Sequence, residues 1–168
     1  MEQTWLHKLD RVNAIWSHPV YQEHLEQTRE AEKERIFCHH DMVHFLDVAR
    51  IATIMALEDR LEIPRELIYA AALLHDCGRH LQYSDQIPHE LASAQIAPDI
   101  LRDCGFTETE IGQIVEAIRC HRDGSSAKRR DLAGILYRAD KASRPCFGCR
   151  AERECNWKND KKNQQIKY

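Results

Sequence analysis

Eight residues, Leu67-Ile-Tyr-Ala-Ala-Ala-Leu-Leu74, form an apolar run that leads directly into His75-Asp76, and this junction constrains the fold more than any other part of the chain. The run reads as a buried helix. A carboxylate beside an imidazole at its end is costly unless something compensates the charge. A divalent metal does so, and the chain must then bring further ligands to the same place from neighbouring helices.

Elsewhere apolar residues recur at helical spacing, glycine and proline are sparse, and strand signals are nearly absent. Trp5, Leu9, Val12 and Trp16 share one face of a first helix. Ser17-His18-Pro19 starts a second, which runs to about Ala31 through a charged stretch read as a solvated face. Asp41 caps a third, with His44, Val48, Ile51 and Met55 inward. Pro64 opens the fourth, whose buried face includes His75 and which Gly78 ends. Pro88 opens a fifth through Leu101, and Thr107 with Glu110 makes a capping box for a sixth ending near His121. A seventh runs from about Lys128 through Asp140, so that Lys128-Arg129-Arg130 marks the start of a helix face. The expectation is an all-α fold, a single bundle of about seven helices with a short cysteine-bearing tail. Its parts are N-terminal helices in 1–35, a core in 36–144 and the tail in 145–168, all one globular unit.

Composition limits the function classes. With 43% hydrophobic and 30% charged residues the 168-residue chain is globular, and a net charge of −3 gives no basic field for nucleic acid or anionic membranes. No apolar stretch is long enough to cross a bilayer and no signal-peptide pattern opens the sequence, so the cytoplasm is the expected compartment. Seven cysteines, an odd number, argue for reduced thiols or metal ligands over a disulfide framework.

His44 on the third helix, His75-Asp76 on the fourth, His89 on the fifth, His121 on the sixth and Asp140 on the seventh could converge as an inward-facing metal site. Their segments are His44-Phe-Leu-Asp-Val-Ala, Leu73-Leu-His-Asp-Cys-Gly-Arg79, Pro88-His-Glu-Leu-Ala, Ala117-Ile-Arg-Cys-His121 and Ile135-Leu-Tyr-Arg-Ala-Asp-Lys141. This order resembles the HD-domain superfamily of metal-dependent phosphohydrolases, over roughly residues 36–144. The spacing is most similar to small bacterial HD hydrolases that cleave diadenosine tetraphosphate symmetrically.

The resemblance implies two divalent metals. His44, His75, Asp76 and Asp140 would hold the first, and Asp76, His89 and His121 the second, with Asp76 bridging. Imidazole and carboxylate ligands suit iron, manganese, zinc, cobalt or nickel alike. It also implies hydrolysis of a nucleotide or other small phosphate ester or anhydride by a metal-activated water. Asp76, Arg79 and Lys141 are the catalytic candidates. Arg79, which stands where a lysine is often found, leads the substrate-contact candidates, ahead of Arg119, Arg122, Lys141 and Arg144. The expected partner is a small phosphorylated substrate, with no membrane or nucleic-acid partner; a homodimer is compatible. Two other functions fit the same ligands: a non-catalytic nucleotide- or partner-binding domain, and an oxygen-dependent diiron enzyme of HD type.

The remaining candidates have plainer readings. His40 and His44 stand four apart, a spacing that can bind zinc, but only His44 fits the pattern, leaving His40 behind the ligands or on the surface. His18, His24 and His39 read as uninvolved, His80 as a solvated loop residue and Glu90 as an exposed first-turn carboxylate. Cys77 could line the pocket, while Cys38, Cys104 and Cys120 read as small apolar residues. Cys146-Phe-Gly-Cys149 and Cys155 could supply three ligands of a zinc or iron–sulfur centre, the fourth having to come from the body, a partner or a small molecule.

Overall fold

The computed structural model describes residues 9–168, so Trp5 lies outside the described residues. Eight α-helices are present among them and no strand: α1 (Asp10–Ser17), α2 (Pro19–Ala31), α3 (Met42–Glu58), α4 (Arg65–Leu74), α5 (Arg79–Ser84), α6 (His89–Asp103), α7 (Glu108–Cys120) and α8 (Leu132–Ala142). None is long and apolar enough to cross a membrane. The local signals work as anticipated at several ends. Pro19 opens α2, the Asp41 side chain accepts from His44 N–H, and Thr107 with Glu110 forms the full capping box.

The apolar run becomes α4, which is buried from Leu67 onward apart from Tyr69 and receives α1, α3, α7 and α8 on its sides. Phe45, Leu74, Ile114, Ile118, Ile135 and Leu136 meet around it with almost no exposure. Tyr21 on α2 is fully buried, and its hydroxyl donates to the Leu73 carbonyl at 2.9 Å, tying α2 to the end of α4.

Four local expectations are corrected. α4 stops at Leu74, and His75-Asp76-Cys77-Gly78 is a turn rather than the last turn of the helix. The chain then forms α5, an additional six-residue helix that packs against α2 and α6. The last helix starts at Leu132, because Asp131 caps it through Gly134 N–H while Gly124–Lys128 forms a separate 3-10 turn. Lys128-Arg129-Arg130 is therefore a connector and not a helix face. His40 precedes the cap Asp41 and so does not share a helix with His44.

Candidate metal centre

Helix ends converge at the site. His44 lies in the first turn of α3 and His89 is the first residue of α6, while His75 and His121 immediately follow the last residues of α4 and α7. Asp140 comes from within α8. The terminal carbonyls of a helix lack intrahelical donors, and two of them orient ligands here. His75 Nδ1 sits 2.7 Å from the Ala72 carbonyl and His121 Nδ1 sits 2.6 Å from the Ile118 carbonyl. Each carbonyl can accept a hydrogen bond from Nδ1, an arrangement that turns Nε2 inward and would offer its lone pair to a metal.

Two groups of ligand atoms result, His44–His75–Asp76–Asp140 and Asp76–His89–His121, the atoms within each lying no more than 4.8 Å apart. Asp76 belongs to both and divides its oxygens between them. Its Oδ2 lies 3.0 Å from His75 Nε2 and 3.6 Å from His44 Nε2, while its Oδ1 lies 3.1 Å from His89 Nε2 and 3.6 Å from His121 Nε2. Asp140 Oδ1 closes the first group at 3.4 Å from His44 and 3.7 Å from His75.

The donor set fits divalent metal. His44 Nε2, His75 Nε2, Asp76 Oδ1 and Asp140 Oδ1 are all buried and lack hydrogen-bond partners, though buried polar atoms are almost always satisfied. Five of the six residues are buried, and His44 alone is partly open. Burial opposes charge on His75, but Asp76 and Asp140 outweigh it and raise its pKa to about 10. Burial likewise opposes the carboxylates' charge, yet the surrounding imidazoles hold Asp76 and Asp140 well below the ordinary range. His89 is lowered, burial outweighing Asp76. A buried site that keeps two carboxylates ionised among imidazoles is suited to a cation, which would take the place of the proton that Asp76 and Asp140 hold on His75.

Cations of the chain surround the cluster unevenly. Arg79, at the start of α5, places Nη1 2.7 Å from His89 Nδ1, and the side-chain Oε1 of Gln82 lies 2.5 Å from the same nitrogen. Lys141 Nζ donates to Asp140 Oδ2 and reaches the His121 carbonyl at 3.3 Å. Arg144 lies 3.7 Å from Asp140 Oδ1 and, with His44 and Ser143, lines a cavity of about 370 Å³. Arg119 and Arg122 are exposed and make no hydrogen bond or ion pair to the six residues.

One cluster was not visible in the sequence. Glu32, at the end of the charged stretch read as solvated, is buried and accepts from His40 N–H at 2.9 Å and Tyr83 hydroxyl at 2.7 Å. Burial would raise the Glu32 pKa, but His40 first and Tyr83 after it bring it down to about 2. His40 is buried too, with Nε2 3.8 Å from Asp76 Oδ2, so it stands behind the ligands. No local pattern announces Glu32; the spacing of His40 before His44 was the one available hint. His80 is not solvated but buried, 2.8 Å from His24. Glu90 is half-buried, its Oε2 3.8 Å from His89 Nδ1. Cys77 points into the core and not a pocket, where burial pushes its thiol up to about 12. Cys146, Cys149 and Cys155 are half-buried free thiols, and no three cysteine sulfurs among the described residues lie within 4.8 Å of one another.

Comparisons with known proteins bear on the same segments. A protein of Clostridium beijerinckii, described as uncharacterized, is 44% identical over 160 residues, covering 95% of this chain and all of its own length. The ribonuclease Y proteins of Frankia casuarinae and Frankia alni are 35% and 34% identical over 102 and 98 residues. Those alignments cover 61% and 58% of this chain but only 14% and 12% of the ribonucleases. No solved structure matches. The HD domain family matches residues 42–144, the stretch that carries all six clustered residues. On that match, over more than half of its length, the chain belongs to the HD domain family.

Proposed function

We propose that the protein is a metal-dependent phosphohydrolase acting on a nucleotide or another small phosphate ester or anhydride. The observation that carries this reading is Asp76, which turns one oxygen to each of two histidine groups. His44, His75, Asp76 and Asp140 would hold one metal and Asp76, His89 and His121 the other. When bound, such metals lower the pKa of water towards neutrality and take up charge on phosphoryl oxygens. The choice among iron, manganese, zinc, cobalt and nickel is open to this donor set.

The chain's own cations do the rest. The Arg79 guanidinium beside His89 can present a two-pronged donor to a phosphoryl group. Lys141 holds Asp140 ionised and ready to bind metal. Arg144, 3.7 Å from Asp140 Oδ1, is a further cation beside the cluster. Arg119 and Arg122, exposed and apart from the cluster, would touch only a longer substrate. Two relatives named as ribonucleases support a phosphodiester among the substrates to be tried, alongside dinucleoside polyphosphates.

Metal content and turnover on a panel of mononucleotides, dinucleotides and short RNA test the reading together. The double variant His75→Ala/Asp76→Ala should lose metal and activity at once, by more than the ~10–100-fold typical of residues that merely support a ligand. His121→Ala should lose one of the two metals of the histidine site. Full activity in the double variant would overturn the proposal. Stoichiometric metal without turnover on any ester would favour a non-catalytic, nucleotide-binding role.

A further inference from the structure

The segment 145–168 is poor in the usual sources of stability. None of its residues is buried, and its only regular structure is two three-residue 3-10 turns, Cys146–Gly148 and Asn159–Lys161. It is nonetheless held in place. Asn163 Nδ2 donates to the carbonyls of Lys141 at 2.8 Å and Arg144 at 2.9 Å, and Phe147 N–H donates back to the Asn163 carbonyl. Within it, the N–H of Cys149 bonds the Cys146 carbonyl and the N–H of Cys155 bonds the Glu152 carbonyl, so the three cysteines lie at successive tight turns. Segments ordered without a core are commonly stapled by disulfides or metal. No cysteine here is disulfide-bonded.

The folded chain supplies a fourth thiol that the sequence could not assign. Cys38, from the loop before α3, lines the same cavity as Cys146, Cys149 and Cys155. Two cations face that cavity as well. Lys162 has a side chain only 6% exposed, and Arg144 one 13% exposed, with its Nε buried and lacking a partner. Both have carboxylate partners, Lys162 with Glu152 at 2.7 Å and Arg144 with Asp140 at 3.7 Å, and Asp41, Asp47 and Glu152 line the same cavity.

We propose that Cys38, Cys146, Cys149 and Cys155 hold a further metal centre through four thiolates, clipping the tail onto the HD core beside His44. Four sulfur ligands select zinc or an iron–sulfur cluster over harder metals. The two differ in span. Tetrahedral zinc with bonds of about 2.3 Å draws its sulfurs to within about 4 Å of one another. In a cluster of four irons each thiolate caps its own iron, and the sulfurs stand further apart than around a single zinc. The four sulfurs line one cavity with no three of them within 4.8 Å of one another, so either centre would draw them together.

The full chain, purified without oxygen, should be assayed for iron, zinc and acid-labile sulfide, next to Cys38→Ser and His121→Ala. Cys38→Ser should lose one cluster, or one zinc, per chain. His121→Ala should lose metal from the histidine site yet keep all sulfide or thiolate-bound zinc. Sulfide with iron, both lost in Cys38→Ser, identifies a cluster; zinc lost in Cys38→Ser but kept in His121→Ala, without sulfide, identifies a mononuclear thiolate site. Alkylation mapping of the native protein covers the case in which Cys38→Ser fails to fold. The four thiols should resist the reagent until metal is stripped and then react together. Unchanged metal in Cys38→Ser, or four thiols that react freely in the native protein, would overturn the proposal and leave a thiol-lined entrance.

Discussion

Gly78 shows what a single missing carbon permits. Its φ of −88° is ordinary for any residue, so conformational freedom is not the reason for glycine. A Cβ there would lie 2.6 Å from Ser93 N and 2.7 Å from Ala92 Cβ, on the face of α6 that presses against the His75–Gly78 turn. Gly78 N–H also donates to Ser93 Oγ at 2.9 Å. Gly78→Ala should therefore push α6, which carries His89, away from Asp76. We expect a loss of about 1–3 kcal/mol, as for other overpacked sites, read as a lower Tm together with weakened metal binding. A Tm within a degree of the native value would refute the packing argument. The sequence showed a glycine two residues beyond the doublet; its contact with Ser93 exists only across the fold.

At the scale of elements, Arg11 joins three helices. From α1 its guanidinium bonds Glu66 on α4 at 2.6 Å and Glu110 on α7 at 2.9 Å. Glu110 also closes the capping box of α7, and the Arg11 hydrogen bond first, with Thr107 assisting, lowers its pKa from 4.5 to about 2. A carboxylate depressed on folding adds stability that is complete above its ordinary pKa and is lost as pH falls towards the folded value. Urea unfolding at pH 6 and pH 3 should show the native protein losing more stability than Glu110→Gln, which keeps a cap acceptor but does not ionise. Equal losses would show that the network does not act through the Glu110 charge. Cap signals such as Thr107–Glu110 and Asp41 are local and so were readable in advance. The start of α8 was not, because Gly134 matters through an approach of 2.1 Å from its hypothetical Cβ to the Arg129 carbonyl. A connector folded that tightly carries no mark in the charged Lys128-Arg129-Arg130 string.

For the molecule as a whole, the His/Asp cluster is the proposed reaction centre and, with metal bound, would also be a stability element. Asp76 and Asp140 are buried charges, and a bound cation would compensate them in the folded state alone. Metal at about a hundred times its Kd contributes about 2.7 kcal/mol, which corresponds to roughly 5–10 °C in Tm for a domain of this size. Treatment with a strong chelator should lower the melting temperature by that order, and added metal should restore it. A Tm indifferent to both would mean that the cluster is held by its own ion pairs.

The sequence by itself determined the helical class and most helix ends, through local spacing and capping chemistry, and its resemblance to HD domains picked out Asp76 and the five residues gathered around it. Only the tertiary structure decided that Glu32 and His40 are buried behind Asp76, that Arg79 and Lys141 reach the cluster while Arg119 and Arg122 do not, and that Cys38 joins the tail cysteines at one cavity. These are relations between segments distant along the chain, and which side chains meet across such distances is set by how the helices pack around α4.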